Sequence, residues 1–450
     1  MKRSYLILTL LSFTLLNPLK AQGILDEYIA EGLERNLVLK ERNISIEQSL
    51  LALEDAKSYF LPAVDFGATY NLANGGRTIN FPLGDLLNGV YSTLNELTQS
   101  NQFPQLENFS EQFLPNNFYD ARFRVSMPII NPDLSYQKDI REKQVLVSEY
   151  DLDIYKANLT EDIRIAYYNF CTAENAIEVI ESSKELVLQN LRDNQSLLEN
   201  GKGLPASVLR AESEVENINA LLIEAENRKE NAIFYLNFLL NRPLNTEVIF
   251  EDQNPDWPLI NSLMVDENLS FRPELQQIQT IESIQETALE SSKKYWVPRL
   301  NTFADFGSQA FDFEFSTQTS AYIFFGLNLG IPVFQGGRNR NQIQRSELQL
   351  QNVSNQKELL TDKLSLDLNL AKNELKTKEA AFRSAEKKLE SSAAYLRLID
   401  RGFKEGANSL IEFIDARNQF TQASLQKTIN AYDLLKAQAS LERQLSTETY

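Results

Sequence analysis

Apolar residues along this chain recur with two different periods. From residue 64, Val64, Phe66, Ala68, Tyr70 and Leu72 alternate with Asp65, Gly67, Thr69 and Asn71, the period of a strand with one apolar and one polar face. Tyr119, Ala121, Phe123, Val125 and Met127 alternate in the same way with Asp120, Arg122, Arg124 and Ser126. So do Ala321, Ile323, Phe325, Leu327, Leu329 and Ile331 with Gly326, Asn328 and Gly330, whereas Leu300 to Phe306 alternates less cleanly. Elsewhere the period is helical. Val208, Val215, Leu222 and Leu236, with Ala211, Ile218, Ala225, Ala232 and Leu239 three positions on, make a heptad seam that Lys229 interrupts. Phe413, Phe420, Leu434 and Leu441 make a second one beside Ala416, Ala423 and Ala437. Alanine on one row lets helices approach closely, so both seams read as coiled coil. Leu364, Leu366, Leu368 and Leu370 alternate like a strand, but their Lys-, Glu- and Gln-rich surroundings read as helix.

These elements repeat in order. Tyr59-Phe60-Leu61-Pro62 returns as Tyr295-Trp296-Val297-Pro298, Met127-Pro128-Ile129-Ile130 returns as Ile331-Pro332-Val333-Phe334, and Gly201 with Ala211 returns as Gly406 with Ala416. The chain is therefore an internal duplication. The first copy, 22–245, is predicted to hold a helix over 24–58, strands over 63–72 and 119–127 joined by a long loop over 73–117, and helices over 135–200 and 206–240. A linker over 246–272 leads to the second copy, 273–450, with a helix over 273–295, strands over 299–307 and 318–331, and helices over 338–401 and 409–445. The long helix of each copy should span about 100 Å. In the first copy the two shorter helices together match the long one, so they fit end to end alongside it as a rod.

Composition narrows the function. Lys2 and Arg3, an apolar run from Tyr5 to Leu16 and then Leu19-Lys20-Ala21 read as an export signal over 1–21. No later stretch is apolar enough for a membrane-spanning helix, so any membrane crossing must use β-strands. A net charge of −18 disfavours nucleic acid and anionic lipid as partners. The chain has no histidine, three methionines and a single cysteine, Cys171. Histidine-dependent catalysis and an internal disulfide are excluded, and no metal-ligand cluster, glycine-rich phosphate loop or nucleophile elbow is present. The reading is of a protein that is not an enzyme, with no cofactor and no metal.

Strands of about ten residues with one apolar face suit a transmembrane barrel, although a half-buried soluble sheet alternates alike. Four strands cannot close a barrel, and open edges in lipid leave backbone groups unsatisfied, so the chain must associate. With Pro62, Pro128, Pro298 and Pro332 beside the strands, Asn241-Arg242-Pro243-Leu244 after one helical hairpin and Arg272-Pro273-Glu274-Leu275 opening the second copy, the chain resembles the TolC-like outer-membrane efflux protein family across its mature length. That resemblance implies a mainly α fold with a membrane β-barrel contribution: a homotrimer with four strands per protomer, a twelve-stranded barrel in outer-membrane lipid and an α-helical tunnel in the periplasm. It implies the exit duct of a tripartite efflux pump or type I secretion system, docking with a periplasmic adaptor protein and an inner-membrane transporter. The alternative is a soluble periplasmic coiled-coil adaptor or structural protein, which leaves the barrel-like strands unexplained.

The resemblance also implies a periplasmic gate at the second hairpin tip, where Phe403 falls at a position the family often gives to tyrosine, and Glu412 and Asp415 match an acidic ring. Asn408 and Ser207 depart from the family pattern. A helix N-terminus also favours solvated acids, which is the plainer reading of Glu412 and Asp415. Gly201 and Gly406 mark the hairpin tips, where the reversal needs a residue tolerant of positive φ, and the resemblance places adaptor contact near them. The loop over 73–117, rich in Asn, Gln and Phe, is expected outside the cell, either as a partial plug or as a mobile loop.

Overall fold

The protein is described here by a computed structural model covering residues 23–255, 257–265, 269, 271–313 and 318–445. The expected export signal over 1–21 lies outside the described residues. The elements are α1 (Ile24–Arg35), α2 (Leu37–Ser58), β1 (Ala63–Asn71), β2 (Thr78–Phe81), α3 (Leu83–Thr98), β3 (Phe109–Gln112), β4 (Phe118–Ile130), α4 (Pro132–Glu199), α5 (Pro205–Leu239), α6 (Trp257–Val265), α7 (Pro273–Lys293), β5 (Arg299–Phe311), β6 (Ala321–Gly330), α8 (Arg338–Lys404) and α9 (Leu410–Leu445). Two compact units result. One holds the described residues up to Ser49, Lys143–Ser283 and those from Gln351 onward, and the other holds Leu50–Glu142 and Ile284–Leu350.

In the first unit the heptad seams are core. Ile218 and Ala225 on α5 are buried with Ile180 and Val187 on α4, while Leu434, Ala437 and Leu441 on α9 cluster with Leu368, Leu375 and Phe382 on α8. Leu364 and Leu368 are buried but Leu366 and Leu370 are more than half exposed. The alternating leucines thus lie on opposite faces of one helix, as the helical reading requires. Lys229, the residue that breaks the first seam, reaches Glu174 on α4 at 2.6 Å.

The helix expected over 24–58 is two helices, because Asn36 interrupts it. This buried side chain accepts from the N–H groups of Val38 (2.9 Å) and Leu39 (3.2 Å), capping α2, and its Nδ2 donates to the Leu239 carbonyl at the end of α5 (3.0 Å). The end of α5 therefore abuts the start of α2. The second copy solves the same problem with Arg272, which precedes α7 and donates from Nη1 to the Gln444 carbonyl in the last turn of α9 (2.8 Å). Arg272 is also bound by both carboxylate oxygens of Glu274, at 3.0 and 2.9 Å, and Glu274 takes a further bond from Arg443 at 2.5 Å. The segment expected as a linker over 246–272 contains α6, whose Ile260 and Leu263 are buried against α8 and α9 residues.

The second unit carries the sheet. Its strands are antiparallel in the order β1-β4-β5-β6, and β2 pairs separately with β3. Six strands rather than four are thus seen among the described residues; the extra pair comes from the loop over 73–117, which is not irregular. Its α3 presents Asn88 and Asn95 one heptad apart, and each clamps a backbone residue through both ends of its amide. Asn88 bonds the Leu106 N–H (2.7 Å) and carbonyl (2.9 Å), and Asn95 bonds those of Phe103 (3.1 and 2.8 Å). The asparagine-rich composition thereby supplies the hydrogen bonds that order the loop.

Burial by itself raises the Glu274 carboxyl, but the hydrogen bonds and charges of Arg272 and Arg443 outweigh it and hold the group at about 2. A carboxylate lowered in this way stabilises the fold above its ordinary range, and that stability is lost as the pH falls from about 4.5 toward 2. Glu274→Gln should therefore lower the thermal midpoint in detergent at pH 7, by a stability loss on the order of 3 kcal/mol. The gap from wild type should close as the pH approaches 2; a gap independent of pH would show that the carboxylate's charge is not what matters.

Candidate functional site: the hairpin tips and the charged face of the sheet

Both helical hairpins turn through one hydrogen-bond pattern. At the first tip Gly201 has φ +72°, its N–H donates to the Leu198 carbonyl (2.9 Å) and the next N–H, of Lys202, donates to that of Leu197 (2.8 Å). At the second, Gly406 has φ +76°, and the corresponding bonds run from Gly406 to Phe403 (3.0 Å) and from Ala407 to Gly402 (2.7 Å). These are Schellman caps, in which the left-handed residue is almost always glycine. Pro205 then opens α5 at its first turn, where its missing N–H costs nothing.

At the second tip the side chains divide into two groups. Phe403 stacks on Phe413 with ring centroids 5.2 Å apart, so it joins the end of α8 to the start of α9 within one hairpin. Glu412 forms a capping box: its Oε2 accepts from the Ser409 N–H (2.7 Å) and hydroxyl (2.9 Å), while the Glu412 N–H donates to Ser409 Oγ (3.3 Å). The Ser409 N–H, the Ser409 hydroxyl and the Asn408 amide, in that order, pull the Glu412 carboxyl below its ordinary range. Asp415, one turn on, is exposed and accepts from Gln419 at 2.7 Å. Glu412 and Asp415 thus share one exposed edge of α9, and Phe403 lies on its buried side.

One pair escaped the reading of the sequence. Arg417, 2% exposed, donates from Nη2 to Glu214 on α5 at 2.8 Å. Its Nε and Nη1 find no hydrogen-bond partner among the described residues. Burial lowers the guanidinium from its ordinary value and Glu214 opposes the shift. In the heptads set by the two seams, Glu214 precedes the row of Val215 and Arg417 follows the row of Ala416. These are the flanking positions where coiled coils place interhelical ion pairs, so the signal was present. Near it, Ser183 on α4 and Thr421 on α9 share a 2.7 Å hydrogen bond. Among the described residues no group of three or more Cys, Asp or Glu is placed to hold a metal.

In the sheet, register decides which residues share a face. Phe66, Phe123, Phe306 and Ile323 lie in one row, and Val64, Val125, Ala304 and Phe325 in the next row on that side. This apolar face is open, with Phe325 70% and Leu327 69% exposed. The opposite face is charged and internally paired. Arg124 holds Asp305 through two 2.7 Å bonds, Arg122 reaches Asp120 at 2.7 Å, and the Tyr322 hydroxyl donates to Asp120 at 2.9 Å. A sheet of this kind separates an apolar from an aqueous surrounding. Among the described residues, no helix is long and apolar enough to cross a membrane.

A protein-family model described as "Outer membrane efflux protein" matches residues 264–447. The chain is 20% identical over 438 residues to outer membrane protein TolC of Salmonella enteritidis, covering 95% of this chain and 82% of that protein. The chain is thus similar to the TolC-like outer-membrane efflux proteins over nearly its whole length. Another relative, the alkaline protease secretion protein AprF of Pseudomonas aeruginosa, is 22% identical across 68% of this chain and 64% of its own length. The CmeC outer membrane channel of Campylobacter jejuni has the same fold, with a TM-score of 0.74 at 15% identity over 95% of this chain and 87% of that one. This efflux protein is accordingly an outer-membrane exit duct, of a family whose members are channels rather than enzymes.

Removing one partner of a buried pair strands the other's charge. Arg417→Leu and Glu214→Leu should each lower stability by about 3–5 kcal/mol, and the double variant should recover most of that loss. Thermal unfolding of the four proteins in detergent checks this, and additive losses would show that the two residues act separately.

Proposed function

We propose that three copies of this efflux protein close their sheets into one barrel of twelve strands, with the apolar face toward outer-membrane lipid and the charged face toward water, and that their helices continue it as a tunnel in the periplasm. The observation that carries this reading is the sheet itself: one open apolar face, one internally paired charged face, and two edge strands, β1 and β6, that have no outer partner among the described residues. An edge in lipid leaves N–H and C=O groups unsatisfied at several kcal/mol each, so only a closed ring fits there. The chain then serves as the exit duct of a tripartite efflux pump or type I secretion system. Its hairpin tips at Gly201 and Gly406 meet a periplasmic adaptor, and an inner-membrane transporter feeds the duct.

The second tips form the gate, with Glu412 and Asp415 ringing a constriction and Phe403 holding each hairpin in shape behind them. The pull of Ser409 and Asn408 on Glu412 keeps its carboxylate ionised into acidic conditions. A crowded acidic ring attracts cations, repels anions and is open to block by multivalent cations.

Purified protein in planar bilayers tests both parts, using Glu412→Gln with Asp415→Asn so that the shapes at the first turn of α9 are kept. Wild type should give small cation-selective openings, and the double variant should lose most of that selectivity. Unchanged selectivity would remove these residues from the gate, while a folded oligomer that never inserts would favour the soluble adaptor reading.

A further inference from the structure

The helix within the loop over 73–117 has two faces, and its own chain uses one of them. The loop leaves β1 and enters β4, so it lies at the end of the sheet opposite to α2 and α4. One face of α3 meets the returning segment. Asn88 and Asn95 clamp Leu106 and Phe103, the Tyr91 ring packs on Phe103 at 5.7 Å, and a Cβ on Gly84 would come within 2.4 Å of the Leu106 carbonyl oxygen. The other face holds Leu83, Leu86, Val90, Thr93 and Leu97, spaced by three, four, three and four residues. That is the a and d spacing of a coiled coil, in which Asn88 and Asn95 take the f position directly opposite the seam. Leu86 and Leu97 are 67% and 76% exposed, and Leu83 and Val90 are exposed with them, so the seam is left open among the described residues.

Resting on the trimer reading above, we propose that the α3 helices of three copies pack in parallel about the threefold axis through this seam, as a short coiled coil that caps the mouth of the barrel. A threefold axis sets identical residues of three copies in one layer, which is what a single set of a and d residues requires. The dimensions agree. Twelve strands about 4.8 Å apart and tilted by about 40° make a ring about 24 Å across, and three helices about 10 Å thick make a bundle about 22 Å across. Charge favours further copies of this chain over a lipid surface. Helices that lie on membranes carry Lys and Arg on their polar face, whereas α3 has Asp85 and Glu96 and neither Lys nor Arg. The whole loop sets Arg77, its one basic residue, against Asp85, Glu96, Glu107 and Glu111. Within the bundle Asp85 falls at c, turned outward, and the e positions, Leu87 and Leu94, carry no charge, so no acidic pair is forced across the seam. Gly89, at g, has open space where a Cβ would be, which leaves room for a neighbouring helix. A helix of 16 residues gives only about two heptads, too short to associate by itself. Attachment of three copies to one rim raises their effective concentration to about the millimolar range, which offsets that weakness.

Single cysteines test the seam, with the wild type as control because its lone Cys171 is buried. The Val90→Cys variant is reconstituted into liposomes under reductant and then oxidised with copper phenanthroline. Three thiols meeting in one layer form one disulfide at a time, so about two-thirds of the chains should run as dimers on non-reducing gels, with nothing larger, and revert with reductant. Leu97→Cys, one heptad on, should behave alike and reads the same seam should the first variant misassemble. Ser92→Cys, at the exposed c position, should link about a tenth as well. Three results within a sedimenting trimer would each overturn the cap and leave the barrel reading standing. Ser92→Cys linking as well as Val90→Cys would show random encounter. Both seam cysteines unlinked but open to a water-soluble maleimide would show a free loop, and both unlinked and closed to that reagent would place the face in lipid. A wild type that sediments as a single chain would overturn the barrel reading and the cap with it.

Discussion

A helix that ends inside protein rather than in water must find donors for its last carbonyls, and the helical packing of this molecule meets that requirement at two places. Each repeat sets two short helices end to end beside long ones of 68 and 67 residues. The junction between short helices is where backbone groups would otherwise be orphaned. Asn36 and Arg272 stand at equivalent points, each just before the incoming helix, and each donates to a carbonyl at the end of the outgoing one.

The two solutions differ in what they demand of their surroundings. An asparagine amide is neutral, and the first junction closes with neutral groups: the Tyr155 hydroxyl donates to Asn36 Oδ1 at 3.3 Å and the Asn241 amide to the Leu239 carbonyl at 3.2 Å. A buried guanidinium needs a counter-charge, which is why Glu274 follows two residues later and why the motif Arg272-Pro273-Glu274-Leu275 reads as it does. Pro273 starts the helix and Glu274 neutralises the residue that joins it to α9. The second Arg, Arg443, is then held by both Glu274 and Asn158. Acid thus weakens the second junction, although the two have the same structural task.

The sequence disclosed the periodic parts of the structure because periodicity is local. Seams, alternating strands and the duplication all repeat within a window that one segment contains. What stayed hidden depends on contacts between segments distant in sequence. Nothing around Asn36 distinguishes a break from a helical asparagine until Leu239, about two hundred positions on, is brought to its amide. The elements within the loop over 73–117 could not be read from the sequence because its polar residues do in a loop what apolar ones do in a core, and Asn88 and Asn95 display this only once residues 103–106 fold back over α3. Glu412 shows the reverse case. Ser409-x-x-Glu412 is a local capping signal, so the plainer reading of the acid as a helix-start charge was legible beside the gate reading, and the geometry is compatible with both.

The strand that alternated least cleanly shows why a period of two can blur without being wrong. Leu300 to Phe306 disappoints as an alternating segment because Phe303 falls on the charged face, among Arg124, Asp305 and Asp65. It belongs there for two reasons. Its ring lies where a side chain on Gly326 would be, since a Cβ built at that glycine would come within 2.4 Å of it, so the large residue and the missing one are complementary across the ladder. The Arg124 guanidinium lies 4.8 Å from the centre of the same ring while also gripping Asp305, a cation–π contact that fixes the arginine's direction. An aromatic on the charged side of such a sheet is therefore a support for its charges, and a glycine directly across the strand pair is the sequence sign that tells it from a residue misplaced from the apolar face.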